Sequence, residues 1–263
     1  MSSPDNSPVV RKFADLRNIE RLDLQFKKHQ EANSGLMSPI KTPKILKPYD
    51  AEIKFYEMQF IRADQLGKFL QGADSEQMKS VSEFIVKFFR NQFINAKVDE
   101  TINALFAKKL EELSDNDKNS DITFRNLRKF SLEVNNEMIH LNGWNHGDFS
   151  FENILVSNDG AVVSAIDFLN SPFDSPMIDL GRIWLDVKYG WWGTGFSEPS
   201  NMRLNRGALE KNLLNFALEI GLNQKKIELF SALAILRIIP YTENVTRLSF
   251  LKFAASKIVK GEK

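Results

Sequence analysis

Apolar and polar residues alternate around Arg11 and Lys12, with Val9, Val10 and Phe13 as the apolar set, and predict a short strand. The period then lengthens. Leu16, Ile19, Leu22 and Phe26 are separated by charged positions, so a helix is expected over residues 16–32. Residues 34–48 carry one glycine and three prolines, which predicts broken structure with a strand at 44–47. The aromatic and branched run at 55–61 predicts a buried strand. Helical spacing returns over 65–72 and 75–115, where Val81, Phe84, Ile85, Phe88, Phe89 and Phe93 form an apolar stripe, and again over 121–141. Two apolar runs at 153–156 and 161–166 flank Ser157-Asn158-Asp159-Gly160, strong turn chemistry that predicts a β-hairpin. Beyond Asp179 the pattern is largely helical, interrupted at 189–199.

This order gives an α+β chain in two parts. Residues 1–62 form a small strand-and-helix unit behind a polar, proline-containing leader, and residues 63–263 form a larger helical unit holding the hairpin. With 263 residues, 43% hydrophobic and 26% charged, the chain is long enough for a substantial core. Its net charge of +1 offers no global field for nucleic acid or an anionic membrane. Cysteine is absent, which excludes disulfides, thiolate metal sites and a cysteine nucleophile. No apolar run reaches signal-peptide or membrane-spanning length, so a cytoplasmic location is expected. The oligomeric state is left open.

The segment richest in chemistry is Asn145-His146-Gly147-Asp148-Phe149-Ser150-Phe151-Glu152-Asn153, followed after the hairpin by Ile166-Asp167-Phe168. Phosphoryl transfer from ATP needs a base or orienting group at the attacking hydroxyl and hard oxygen ligands for magnesium. Asp148 can fill the first role. Asn153 and Asp167 can fill the second, because a hairpin between them fixes their separation.

The string H-G-D-x-x-x-x-N, with the second aspartate fourteen residues after the Asn, is similar to the signature of the aminoglycoside phosphotransferase and choline kinase superfamily. The resemblance covers about residues 145–185 closely. It implies a protein-kinase-like two-lobe fold with a reduced N-terminal β-lobe and a larger helical C-terminal lobe. It implies an ATP- and magnesium-dependent kinase, with Asp148 as catalytic base, His146 as a partner within the loop, and Asn153 and Asp167 as magnesium ligands. Pro176-Met177-Ile178-Asp179-Leu180-Gly181 resembles a following element in which Asp179 would stabilise the loop.

The same likeness nominates residues on the nucleotide side. Lys12 resembles the phosphate-pairing lysine, with Arg11 as the other choice, and Gln25 occupies the helix position that should hold it, with Glu20 as the alternative. Gln59, Phe60 and Ile61 resemble the hinge that meets adenine through backbone groups, or are simply a core strand and its exit. Eleven residues precede Lys12, without a Gly-rich loop.

On the acceptor side, three glycines and four aromatics lie in 189–196 outside any period, nominating Trp191 and Trp192 as a binding wall or lid. Lys188, Arg203, Arg206 and Lys211 flank it and hint at an anionic acceptor, whereas Arg237 and Arg247 are expected to be solvated or ion-paired. The expected partner is a small molecule with an acceptor hydroxyl, such as a sugar, polyol or amino alcohol. The alternative is a kinase-fold binding or regulatory module with weak or lost catalysis.

Overall fold

The computed structural model describes residues 8–14, 19–50, 52–114, 120–138, 140–195 and 198–261. Strand β1 (Val9–Phe13) pairs antiparallel with β3 (Phe55–Gln59), which also pairs with β2 (Ile45–Asp50), giving the order β1-β3-β2. Helix α1 (Ile19–Glu31) covers this sheet. Leu22 and Phe26 of the helix meet Tyr56 and Met58 of β3 in a small apolar cluster. Leu16, at the start of the expected helix, lies outside the described residues.

Residues 32–43 belong by packing to the other part of the chain. Ala32, Met37 and Ile40 are buried in the large core. Lys41 bridges the hairpin, its N–H donating to Val163 at 2.9 Å and its carbonyl accepting from Ala165 at 2.9 Å. Strand β4 (Asp64–Gln65) then adds to the other edge of that sheet, in the order β4-β7-β8, with β7 at Ile154–Val156 and β8 at Val163–Ala165. Residues 32–43 thus pack with the hairpin sheet and the large core, while β1, α1, β2 and β3 build the small sheet unit.

Helix α2 (Leu66–Gly72) leads into α3 (Ser75–Asn95), whose start is fixed by Asp74 accepting from Glu76 and Gln77 while Gln77 returns a bond to Asp74. Val81, Ile85, Phe88 and Phe89 of α3 are fully buried, each worth about 1.5–3 kcal/mol of transfer free energy. The expected helix over 75–115 is broken. Strand β5 (Lys97–Val98) pairs with β6 (Leu141–Asn142), and Asp99 accepts from Thr101 N–H at 2.9 Å to start α4 (Thr101–Ser114). The same pairing ends α5 (Ile122–Asn135) short of residue 141. The C-terminal layer comprises α6 (Pro176–Trp184), α7 (Ser200–Glu219), α8 (Gln224–Ile238) and α9 (Val245–Lys260). Every residue of α6 is buried. Gly181 lets α6 press on α8, since a Cβ there would lie 2.3 Å from that of Phe230.

Candidate active site

The loop between β6 and β7 is shaped by three interlocking sets of bonds. Gly147 has φ +89°, and a Cβ on it would stand 2.0 Å from the Leu169 carbonyl, so glycine is required there. His146 donates from Nε2 to Ile166 O at 2.8 Å, and Leu169 N–H donates to His146 O at 2.9 Å, binding this loop to the segment after the hairpin. Asp179, at the buried start of α6, accepts from His146 N–H at 2.5 Å and Gly147 N–H at 2.8 Å. Burial pushes the Asp179 carboxyl up to about 7, with those two N–H donors and Lys28 opposing the rise. Burial likewise lowers His146 to about 4, so the ring is neutral near pH 7 and Nδ1 can accept from Asp148 N–H at 3.3 Å.

Asp148 emerges from this loop with both carboxylate oxygens held. Oδ1 accepts from Arg182 Nε at 2.7 Å, and Oδ2 accepts from Asn153 Nδ2 at 2.9 Å. Arg182 is itself braced by Asp186 at 3.1 Å, one turn on, where the end of α6 widens into a π-type turn over Leu185–Tyr189. Asp186 Oδ2 also accepts from Phe151 N–H at 3.1 Å, while its Oδ1 has no partner among the described residues. Burial raises the Asp186 carboxyl to about 6 despite Arg182.

Asn153 and Asp167 are brought together by Ile166 N–H donating to Asn153 O at 2.9 Å. Asn153 Nδ2 is spent on Asp148, which leaves Oδ1 as an acceptor without a donor among the described residues. Asp167 adopts φ 63°, a left-handed conformation that aspartate tolerates better than most residues, and stays half-exposed. An amide oxygen beside a carboxylate is a donor set suited to magnesium, the rest of its shell being water and phosphate. Among the described residues no cluster of three or more His, Cys, Asp or Glu offers a self-sufficient metal site.

On the other side, Lys12 makes a close ion pair with Asp167 across the gap between the two sheets. Gln25 is half-buried on α1 and, among the described residues, makes no side-chain hydrogen bond; Asp167, not Gln25 or Glu20, holds Lys12. Arg11 is tied to Glu57 of β3 instead. Gln59 N–H is used within the sheet by Lys44 O at 2.8 Å, and Phe60 and Ile61 follow the strand end.

Lys28 and His29 are contacts that the sequence pattern did not reveal. Lys28 reaches from α1 into the larger unit, donating to Asn145 Oδ1 at 2.5 Å, and burial lowers its pKa. His29 donates from Nε2 to Pro43 O at 2.8 Å and stacks on Phe168 with ring centroids 5.0 Å apart. Their helical spacing beside apolar Leu22 and Phe26 was the only trace, because a buried lysine and an exposed one read alike.

A cavity of ≈ 760 Å³ opens beside Asp148, walled by Arg182, Trp191, Leu233, Arg237 and Arg247. Trp191 lines it, under the Arg247 guanidinium at 5.2 Å. Trp192 does not. Its indole lies against Gly67 of α2, so Trp192 is a packing residue. Phe196 lies outside the described residues. Three of the four flanking cations are spent elsewhere: Lys188 on Glu210 at 2.8 Å, and Arg206 and Arg203 on Glu198 at 2.7 and 3.7 Å.

This arrangement can be set beside known proteins. Residues 9–215 match the profile of the Phosphotransferase enzyme family. The chain belongs to that family. No curated protein sequence matches it. Among solved structures, an aminoglycoside phosphotransferase from Streptomyces rimosus with ADP and streptomycin is similar at 14% identity, covering 89% of this chain and 88% of its own, with a TM-score of 0.56. The GDP complex of aminoglycoside 2'-phosphotransferase-IIIa is 12% identical over 97% of this chain and 87% of its own, with a TM-score of 0.61. A choline/ethanolamine kinase family protein from Mesorhizobium loti is 12% identical over 96% and 85%, with a TM-score of 0.57. At these identities the likeness is one of fold, the protein-kinase-like two-lobe fold expected from the His146–Asn153 loop, and the family is one of small-molecule phosphotransferases.

Proposed function

We propose that this phosphotransferase transfers the γ-phosphoryl group of ATP, with magnesium, to a hydroxyl of a small metabolite such as a sugar, polyol or amino alcohol. The carrying observation is Asp148, fixed from two sides by Arg182 and Asn153 and open to the cavity. Each carboxylate oxygen keeps a second lone pair, and Asp148 lines the cavity. Asp148 accepts the hydroxyl proton as the oxygen–phosphorus bond forms, and the bridging bond breaks with its electron pair leaving on ADP. Magnesium, held by Asn153 and Asp167, would neutralise charge on the phosphates.

On the nucleotide side, Lys12 pairs the phosphates when they displace its contact with Asp167. Phe60 and Ile61 carry backbone groups without hydrogen bonds among the described residues, as an adenine hinge requires. Gln59, with its N–H already used, contributes through its carbonyl, and Gln25 has a steric rather than a pairing part. An ATP-dependent role of this kind goes with a cytoplasmic location; among the described residues no helix is long and apolar enough to cross a membrane. The intact Asp148, Asn153 and Asp167 set favours a working kinase over a binding module.

The test is a panel of hydroxylated metabolites with ATP and magnesium, following ADP release and product mass. Asp148→Asn is expected to lower turnover by about 10²–10⁴-fold while the fold is retained. Near-wild-type turnover in that variant would overturn the assignment.

A further inference from the structure

The cavity beside Asp148 is lined by five cations, and two of them, Arg21 and Arg237, have no ion-pair partner among the described residues. Lys109 is held by Glu112 at 2.9 Å, Arg182 by Asp148 and Asp186, and Arg247 by Glu152 at 3.6 Å. Arg237, on α8, has no carboxylate among the described residues within 4.0 Å. Its side chain is part-buried on the cavity wall. Burial dominates its environment and disfavours its charge. A guanidinium on a cavity wall with no ion-pair partner among the described residues keeps its planar fork of donors for a ligand.

Resting on the kinase reading of this site, we propose that Arg237 binds an anionic group of the acceptor, so that the substrate is a hydroxylated metabolite carrying a phosphate or carboxylate. Arg237 and Asp148 line one cavity. An acceptor with its hydroxyl at Asp148 therefore presents its other end to α8. The planar guanidinium fork matches either anion with two parallel hydrogen bonds. Arg21 on α1 and Arg247 on α9 line the same cavity and reinforce the sign, against a single further acid, Glu243. The volume suits a sugar-sized molecule. This wall repels amino groups, so cationic acceptors are disfavoured by the same residues that attract anions.

The experiment compares glucose 6-phosphate and gluconate with glucose, glucosamine and choline, using the full chain, ATP and magnesium. At least one anionic member is expected to exceed the neutral and cationic ones by about tenfold or more in kcat/KM, the size of one charged contact. The phosphate and carboxylate arms distinguish the two sources of negative charge. Arg237→Gln should raise KM for the anionic acceptor by about tenfold, leave KM for ATP within about twofold, and lose nothing in ligand-free melting temperature. Arg237→Lys should recover part of the affinity. Preference for glucosamine, choline or glucose overturns the proposal and leaves the kinase intact, as does an unchanged anion KM in Arg237→Gln. If no acceptor is phosphorylated, the kinase reading fails, and calorimetry with glucose 6-phosphate and gluconate decides the anion site. Binding weakened by Arg237→Gln supports it, and absence of binding overturns it.

Discussion

Arg182 is the residue whose removal tests the site most directly. Its side chain is 8% exposed and joins Asp148 to Asp186, the latter 1% exposed. In Arg182→Met the volume is roughly kept and the charge is lost, which strands Asp186 in the core. Breaking a buried pair in this way costs about 3–5 kcal/mol, equivalent to a fall in melting temperature on the order of 10 °C for a chain of this size. The loss should depend on pH. Burial already raises the Asp186 carboxyl to about 6, and without Arg182 it rises further. A carboxyl raised on folding opposes folding as pH rises through its folded value and ceases to do so once protonated. The gap between wild type and variant is therefore widest near pH 8 and narrows as pH falls through about 6. Thermal unfolding between pH 5 and 8 reads this directly. Asp186→Asn in the same background should restore much of the loss, because an amide oxygen can still accept from Phe151 N–H. A deficit that is constant across this range, or unrelieved by Asp186→Asn, would refute the charge argument and leave packing as the role of Arg182.

Two other perturbations separate competing accounts of the site. Gly147→Ala must place a methyl group 2.0 Å from Leu169 O at φ +89°, so a destabilisation above about 2 kcal/mol is expected in denaturant titrations, accompanied by lost turnover; a change within about 0.5 kcal/mol would contradict the contact. Lys12→Met should lower kcat/KM for ATP by about tenfold or more, while Gln25→Ala stays within about twofold because Gln25 does not hold Lys12; equal effects would return Gln25 to the phosphate site.

Much of this was legible in the sequence where the signal was local. The strand at Val9–Phe13, the hairpin around Asp159 and the order of His146, Asp148, Asn153 and Asp167 are short-range patterns, and each has its counterpart in the fold. The break at Lys97–Val98 was hidden because it depends on pairing with Leu141–Asn142, some forty residues away. Arg182 was invisible for a related reason. Its helix reads as an apolar segment with one acid and one base, and only the packing of α6 beneath the loop turns Arg182 toward Asp148. The aromatic segment misled in part: Trp191 and Trp192 are indistinguishable by composition, yet a 3₁₀ turn sends one to the cavity and the other to Gly67. Arg237 looked like a surface residue because sequence does not show whether an acid stands nearby.

The attachment of the small sheet to the hairpin has a mechanical consequence. The chain passes between the two units at Lys41, which lies along β8, and at Asp64, which lies along β7. These are the two outer edges of the one sheet whose far end carries Asp167. A conventional hinge lets one body swing freely about a single tether. Here a pair of straps grips both margins of the same plate, so any rotation of the small unit would drag the hairpin and tilt Asp167 with it. On the proposed kinase reading, nucleotide capture and the setting of that carboxylate would be one motion, passed on to Asp148 through Asn153.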